Sequence, residues 1–559
     1  MMVLATYWSG RLRRAIAALA PLVALAVLAG CEAPGPAASV DTQPAAARVE
    51  FDPAATEPPR PVAGPERPPE IKPAENKLPT IEPLAEPADG GRLVEETWDA
   101  CSLQGSRVGY AHTTIAEVEE GGQKLVRTRG ATRTTLQRAG QTIVQDLIIT
   151  SWEKAGGELV RCESRMKMGQ TDMIAECRVQ GDKLAIQTAT LGKTQTQSIP
   201  WPAGTGGFFA VEQSLKLRPL KEGEKRAVAG LMPVFNIVGT TELSAGSYET
   251  VKLPAGEKKL LRVRSVVDLG GQTMDTVLWI DERGQTLKSL VPAIGQETVR
   301  TTKEDALQQP AGVQFDLLLA SVVKLRGKLE SPHATRRVVY RATVKSGKIA
   351  GVFPDCLSQR VLKSDERSAE LLVQAVRPKA PAAVDVAIAK PADGDLSANN
   401  MIQSDDPRIV EMATKAAPAE GEAWQTALAL EQHVARSIRK KNFSQAFATA
   451  AEVAQSLEGD CTEHAVLLAA LCRARKIPAR VAFGLVYYPL QDGFAFHMWN
   501  EVWIADRWIP LDGTLGQGGI GADHIKLGDS DLAGGSGLAA MLPVVNVFGR
   551  LELEVVAAE

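Results

Sequence analysis

Gly459-Asp460-Cys461-Thr462-Glu463-His464-Ala465, followed by the Ala- and Leu-rich run Val466–Arg475 and stopped by Lys476-Ile477-Pro478, decides how this chain is read. The run is helical, and proline cannot continue a helix. Cys461 therefore heads it. Unsatisfied N–H groups and the helix dipole at that end favour a thiolate and can hold an oxyanion. Cys472 lies mid-helix, about three turns further on, too far for a bridge, and reads as core packing.

A strand follows over Arg480–Tyr487. After a loop comes Phe496-His497-Met498-Trp499-Asn500-Glu501-Val502-Trp503, on which His497, Trp499, Glu501 and Trp503 share one face. Arg507-Trp508-Ile509-Pro510-Leu511-Asp512-Gly513-Thr514 completes the stretch. It supplies Cys, His and Asp in the order nucleophile, base, orienter.

These three blocks resemble the signature blocks of the transglutaminase-like superfamily in its bacterial branch. The resemblance covers roughly residues 400–530. It implies a papain-like α+β core, with the cysteine heading a helix packed on an antiparallel sheet. It also implies acyl transfer from an amide through a thioester, to an amine or to water. On this resemblance Cys461 is the nucleophile, His497 the general base and then acid, and Asp512 the group that orients the imidazole. The strand spacing resists in one respect. A turn at Ala505-Asp506-Arg507 sets Asp512 opposite Asn500, on the wrong face for His497. A turn centred between Ile504 and Ala505, or a bulge at Pro510, would restore the face.

Other polar residues carry less. His464 is nearly one turn past Cys461 and reads as a histidine with a structural hydrogen bond. Glu463 and Glu501 read as partners of nearby backbone or arginine. Gln455 and Trp424 are conceivable oxyanion donors by analogy, but the backbone N–H of Cys461 is the stronger one. Gly516–Gly521 lacks the Lys-Ser/Thr of a phosphate loop and reads as a flexible loop beside the site, with His524 structural beyond it.

Working outward, residues 1–31 read as a lipoprotein signal peptide. Arg11, Arg13 and Arg14 precede the apolar run Ala15–Ala29, and Leu28-Ala29-Gly30-Cys31 resembles a lipobox with Cys31 as the lipidated residue. Residues 32–90 hold 14 of the 33 prolines and few large apolar side chains, the composition of a disordered tether. Over 91–310, short alternating runs such as Thr142–Trp152, Lys258–Leu269 and Thr273–Ile280 are separated by glycine turns and predict a mostly antiparallel β domain. There, a two-residue turn at Gly169-Gln170 sets Cys162 opposite Cys177 on the apolar side. An oxidising compartment would permit a disulfide, but the wider spacing of a hydrogen-bonded pair argues for two buried thiols.

Residues 311–395 read as a small β segment, holding Val338–Val344 and Glu370–Val376, and a Pro/Ala linker at 378–391. The catalytic domain is placed at 396–559, opened by the cap Asp405-Asp406-Pro407 and by helical patterns over Ala423–Ile438 and Phe447–Leu457. The fold class expected for the whole is α+β.

The charge balance excludes strong overall attraction to nucleic acid: 63 basic and 66 acidic residues in 559 give a net charge of −3. No His/Cys spacing matches a zinc site, and no cofactor or metal is expected. The leading expectation is a lipid-anchored cysteine enzyme on the extracytoplasmic face of a bacterial envelope, in contact with the membrane through its anchor. Its substrate is a peptide or protein amide, with cell-wall peptide among the candidates. Hydrolysis, as a peptidase or amidase, comes first, because nothing marks an amine acceptor site. The alternatives are a protein cross-linking acyltransferase and a non-catalytic peptide-binding module.

Overall fold

A computed structural model describes residues 83–85 and 91–559, apart from 139, 169–170, 191–192, 269–272, 309–314, 346, 378–388, 418–420, 442–446 and 534–539. The expected signal peptide, Cys31, nearly all of the tether and most of the 378–391 linker lie outside the described residues. Among those described, no helix is long and apolar enough to cross a membrane.

Alternation builds the first unit. In the strand Gln141–Glu153 the side chains Ile143, Gln145, Leu147 and Ile149 are buried and alternate with partly exposed neighbours. Fourteen described strands form one sheet, every pair antiparallel. Eight run as a meander from Arg92–Leu103 to Lys193–Pro200, and six more from Lys225–Met232 to Gln296–Thr301, with the helix Ala210–Leu217 between the two sets. The last strand returns to the first, pairing Trp98 with Thr301 through Leu103 with Gln296. The hairpin register is the expected one, with Cys162 opposite Cys177. Both are buried free thiols. Burial, then the neighbouring Cys177, pushes Cys162 well above the usual thiol range.

The second sheet corrects one expectation. The β segments of 311–395 do not stand apart. Gln359–Ser364, Ser368–Gln374, Arg337–Val344, Leu551–Ala558, Val323–Arg326, Gly493–Ile504, Ala479–Tyr488 and His524–Ser530 lie side by side in that order, and Arg507–Leu511 pairs onto Gly493–Ile504. The join is made by Val323–Arg326, antiparallel to Gly493–Ile504 on one side and parallel to the chain's last strand on the other. Local alternation marks a strand but does not name its neighbour, so this pairing across about 170 residues was invisible in the sequence.

Against this sheet lies the helix Cys461–Ala474. The helices Pro407–Ala416, Ala423–Ser437 and Ala450–Ser456 pack on its other sides. Every residue from Cys461 to Arg473 is buried, which is why its apolar residues run all round rather than in one stripe. The helix Pro407–Ala416 starts as expected, with Asp406 capping the Arg408 N–H at 2.9 Å and proline at its first position. Leu457, left-handed at φ 52°, ends the helix before the Cys461 turn.

The two units share one core. Leu136, Ile143 and Leu147 of the large sheet belong to the same apolar cluster as Cys461, Ala465 and Leu468. Asn400 Nδ2 donates to the Thr188 carbonyl at 3.1 Å across the boundary.

Candidate active site

The helix that begins at Cys461 is capped twice over. Asp460 Oδ1 accepts from the Thr462 N–H and hydroxyl, each at 2.9 Å, and Glu463 Oε2 accepts from the Asp460 N–H at 2.9 Å, a reciprocal capping box. Gly459 has φ 149°, and a Cβ there would stand 2.4 Å from the Glu463 side chain, so only glycine fits. Glu463 also accepts from the Ala448 N–H at 2.9 Å. Burial, then the Asp460 charge, pushes its carboxyl well above the usual range.

Asp460 has a further partner that the sequence did not suggest. Arg138, on the strand Gln123–Arg138 of the large sheet, reaches its Oδ2 at 2.6 Å, and both side chains are no more than 1% exposed. Burial pushes Asp460 up, but the Arg138 guanidinium and the Thr462 bonds outweigh it and hold the carboxyl below its ordinary range. Two residues read as structural are so. His464 Nδ1 bonds the Asp460 carbonyl, and burial, then the Lys441 charge, pulls its ring down to about 4, so it is neutral. Glu501 pairs with Arg480 at 2.7 Å and with Lys526 at 2.7 Å.

His497 and Asp512 come together, by a route different from either anticipated. The turn is two residues long, Ala505 at φ 51° and Asp506 at φ 57°, both left-handed as a type I′ hairpin demands. Pairing then runs from Ile504 with Arg507 to Asn500 with Leu511, with no bulge at Pro510. One residue further along this register, Asp512 falls opposite Trp499, on the same face as His497 and diagonal to it. Its Oδ2 meets His497 Nε2 at 2.7 Å. The ring is buried, and the Cys461 side chain is its second hydrogen-bond partner. Burial pulls the His497 ring down, but the Asp512 charge and hydrogen bond, joined by the Cys461 side chain, push it up to about 10. Cys461, His497 and Asp512 are between 0% and 2% exposed.

The carboxylate of Asp512 is fully engaged. Oδ1 accepts from the Thr514 N–H at 2.7 Å and the Leu515 N–H at 3.2 Å, and Oδ2 also meets His524 Nε2 at 3.2 Å. Burial pushes Asp512 up, but His497 and His524 hold it well below the usual range. His497, Asp512 and His524 offer ligand atoms within 4.8 Å of one another, yet at 2.7 and 3.2 Å these atoms are already hydrogen-bonded to each other.

Glu431, buried on the helix Ala423–Ser437, accepts from the N–H groups of Asp512 at 3.1 Å, Gly518 at 2.9 Å and Gly519 at 3.3 Å. The glycine-rich segment read as a flexible loop is thus tied to a helix. Burial raises the Glu431 carboxyl to about 8 against these bonds. Gln455 is exposed and bonded to Arg408 at 3.1 Å. Trp424 is partly buried against the core.

Residues 410–513 match the model of the transglutaminase-like superfamily. The chain therefore carries a transglutaminase-like domain in its C-terminal part, and Cys461, His497 and Asp512 fall within the matched residues, as does Glu431. No curated protein matches the chain. Among solved structures it is similar to a proposed cysteine protease from Cytophaga hutchinsonii, at 15% identity over 41% of this chain and 88% of that one, TM-score 0.27. A beta-barrel-like protein from Brucella abortus, of a domain of unknown function, aligns at 11% identity over 37% and 95%, TM-score 0.29. A proposed protease from Parabacteroides distasonis aligns at 10% identity over 61% and 64%, TM-score 0.17.

Proposed function

We propose that this chain is a cysteine enzyme that attacks amide bonds through a thioester, with Cys461 as nucleophile, His497 as acid and base, and Asp512 as orienter. The observation that carries the reading is His497 held between two partners: Nε2 on Asp512 at 2.7 Å, and a ring whose pKa Cys461 helps to raise. An imidazolium at neutral pH favours a thiolate on Cys461. The thiolate sulfur attacks the amide carbon, and the C–S bond forms as the carbonyl oxygen takes the negative charge. The backbone N–H of Cys461 at the helix start is the donor best suited to that oxyanion. His497 gives its proton to the leaving nitrogen as the C–N bond breaks, leaving a thioester. It then takes a proton from the incoming water, whose oxygen displaces the sulfur and restores the thiolate.

Hydrolysis is the first reading, on a peptide or protein amide, by a chain anchored through Cys31 in the bacterial cell envelope, on its periplasmic or extracytoplasmic face. One observation favours transfer to an amine as a second reading. Cys461 is 0% exposed, and a thioester kept from water survives until an amine arrives. The test is a screen of peptides and peptidoglycan fragments, with and without amine acceptors, against the purified chain and Cys461→Ala. Turnover lost in the variant supports the reading. Full turnover in Cys461→Ala removes Cys461 as the nucleophile, and binding of these peptides by the wild type without turnover gives the fold a binding role.

A further inference from the structure

Beyond Asp512 the buried polar groups continue in single file. His524 Nε2 meets Asp512 Oδ2 at 3.2 Å, and its Nδ1 meets Asp523 Oδ1 at 2.9 Å. Asp523 Oδ2 in turn pairs with His333 Nδ1, whose side chain is 23% exposed and brings the row toward the surface. His524, Asp512 and Asp523 are at most 1% exposed. Both neighbours of the His524 ring are carboxylates, which only accept. Each ring nitrogen must therefore carry a proton, so the ring is an imidazolium. Charge then alternates along the row: Asp523 negative, His524 positive, Asp512 negative, His497 positive.

We propose that His524 is a positioning residue for the reaction described above, one that fixes the Asp512 carboxylate and sets the basicity of His497. The proposal rests on the assignment of Cys461, His497 and Asp512. Two effects follow from the geometry. Oδ1 of Asp512 is held by two backbone N–H groups and Oδ2 by two imidazoles, so the carboxylate has no free rotation left. The His524 charge, with ring centres 5.8 Å apart, also opposes the charge on His497 and keeps it from becoming too firm a base. The groups facing His524 are Asp512, Asp523 and His497, with the Trp499 ring edge-on at 5.4 Å. His333 and Tyr340 face Asp523 behind it.

The sign of the test comes from charge. Replacing His524 by a neutral side chain removes a positive charge beside Asp512 and 5.8 Å from the His497 ring, which is itself paired with Cys461. The imidazolium then loses its proton at higher pH, and the thiol ionises at higher pH. Both limbs of the pH–rate profile for alkylation of Cys461 by iodoacetamide should move upward, by about one unit. The full chain is used, with Cys461 followed by peptide mass.

His524→Gln should also slow the reaction at neutral pH about tenfold or more, the usual size of an effect on a group that orients a reacting one. Asp523→Asn keeps the shape and the Nε2–H bond while withdrawing the charge that holds His524 protonated. It should move both limbs the same way with a smaller loss of rate at the optimum. Asp523→Asn also stands in should His524→Gln fail to fold. Limbs unmoved in both folded variants, while His497→Ala still abolishes the fast reaction, overturn this inference alone. If wild-type Cys461 titrates as an ordinary thiol and ignores His497→Ala, the assignment of the three residues falls first.

Discussion

Asp512 does not face His497 across the hairpin; it stands diagonal to it, one residue past the last paired rung, and bonds it at 2.7 Å. Diagonal neighbours on a sheet face are about 7–8 Å apart at the backbone, a gap that an Asp and a His side chain together can close. The two-residue turn Ala505-Asp506 sets this parity. One glycine inserted between them would carry Asp512 to the opposite face, because a one-residue slip reverses every side chain. The expected outcome is a folded chain, by circular dichroism, in which iodoacetamide no longer modifies Cys461 faster than a denatured thiol. Ala505→Gly is the control. It relieves a left-handed alanine, worth about 1 kcal/mol, and should raise the urea midpoint with Cys461 reactivity intact.

The His497 ring gives a stability prediction with a fixed sign. Its folded pKa, about 10, lies above the unfolded value of 6.5. Its contribution is therefore complete below pH 6.5 and fades as pH rises toward 10. Wild type and His497→Gln, unfolded in urea across that range, should differ most at the acid end and converge at the alkaline end. A gap that widens with pH would contradict the ion-pair assignment.

Much of the site was legible because its causes are local. Pro478 stops a helix, Asp460 caps it, and Cys461 must then stand at its start. His497 and Asp512 were assigned by the resemblance of their blocks, whereas the spacing, with a three-residue turn, set Asp512 on the wrong face; the turn is one residue shorter. The rest is supplied from a distance. Arg138 lies over 300 residues before Asp460, and nothing in its strand distinguishes it from the other arginines there. Glu431 could have been suspected, since the glycine-rich segment Gly516–Gly521 exposes N–H groups that need an acceptor. His524 was noticed and read only as a structural residue beyond the glycine-rich segment. The joining of 323–374 with 479–530 in one sheet likewise rests on strand pairing, which local alternation does not specify.

Cys162 and Cys177 face each other at 2% and 3% exposure as free thiols. Non-reducing peptide mapping of the purified chain should recover both unbonded. Neither should react with iodoacetamide until the chain unfolds, since both sulfurs are buried away from the reagent. A bonded pair recovered from fresh material would mean that the hairpin closes further than the structure shows.

The lipobox reading predicts that Cys31→Ser abolishes acylation and membrane retention. Intact mass and membrane fractionation of the two proteins test it directly, and a wild-type chain with an unmodified Cys31 would remove the anchor.

Arg138 and Asp460 decide whether the large sheet is a separate passenger or part of the catalytic unit. Asp460 caps the helix that Cys461 heads, and Arg138 brings a full charge from the large sheet into that cap, at 2.6 Å and away from water. Removing one partner of a buried pair leaves the other uncompensated, at a cost of about 3–5 kcal/mol. Arg138→Met should therefore lower the urea midpoint sharply at pH 7, and Arg138→Met with Asp460→Asn should recover part of the loss. The folded pKa of Asp460 is depressed, so the pair's contribution is present above the unfolded value of about 3.8 and lost as pH falls through the folded one. The gap between wild type and Arg138→Met should thus close in acid. Cutting tests the same coupling by another route. A protease site engineered between Pro378 and Pro391 separates residues 396–559 from four strands of their own sheet and from Arg138. The cut chain should elute as one species and fall apart only in denaturant. A piece beginning near Asp395 that leaves the column alone, folded and with a reactive Cys461 would show that neither the pair nor the shared sheet is needed to hold the site.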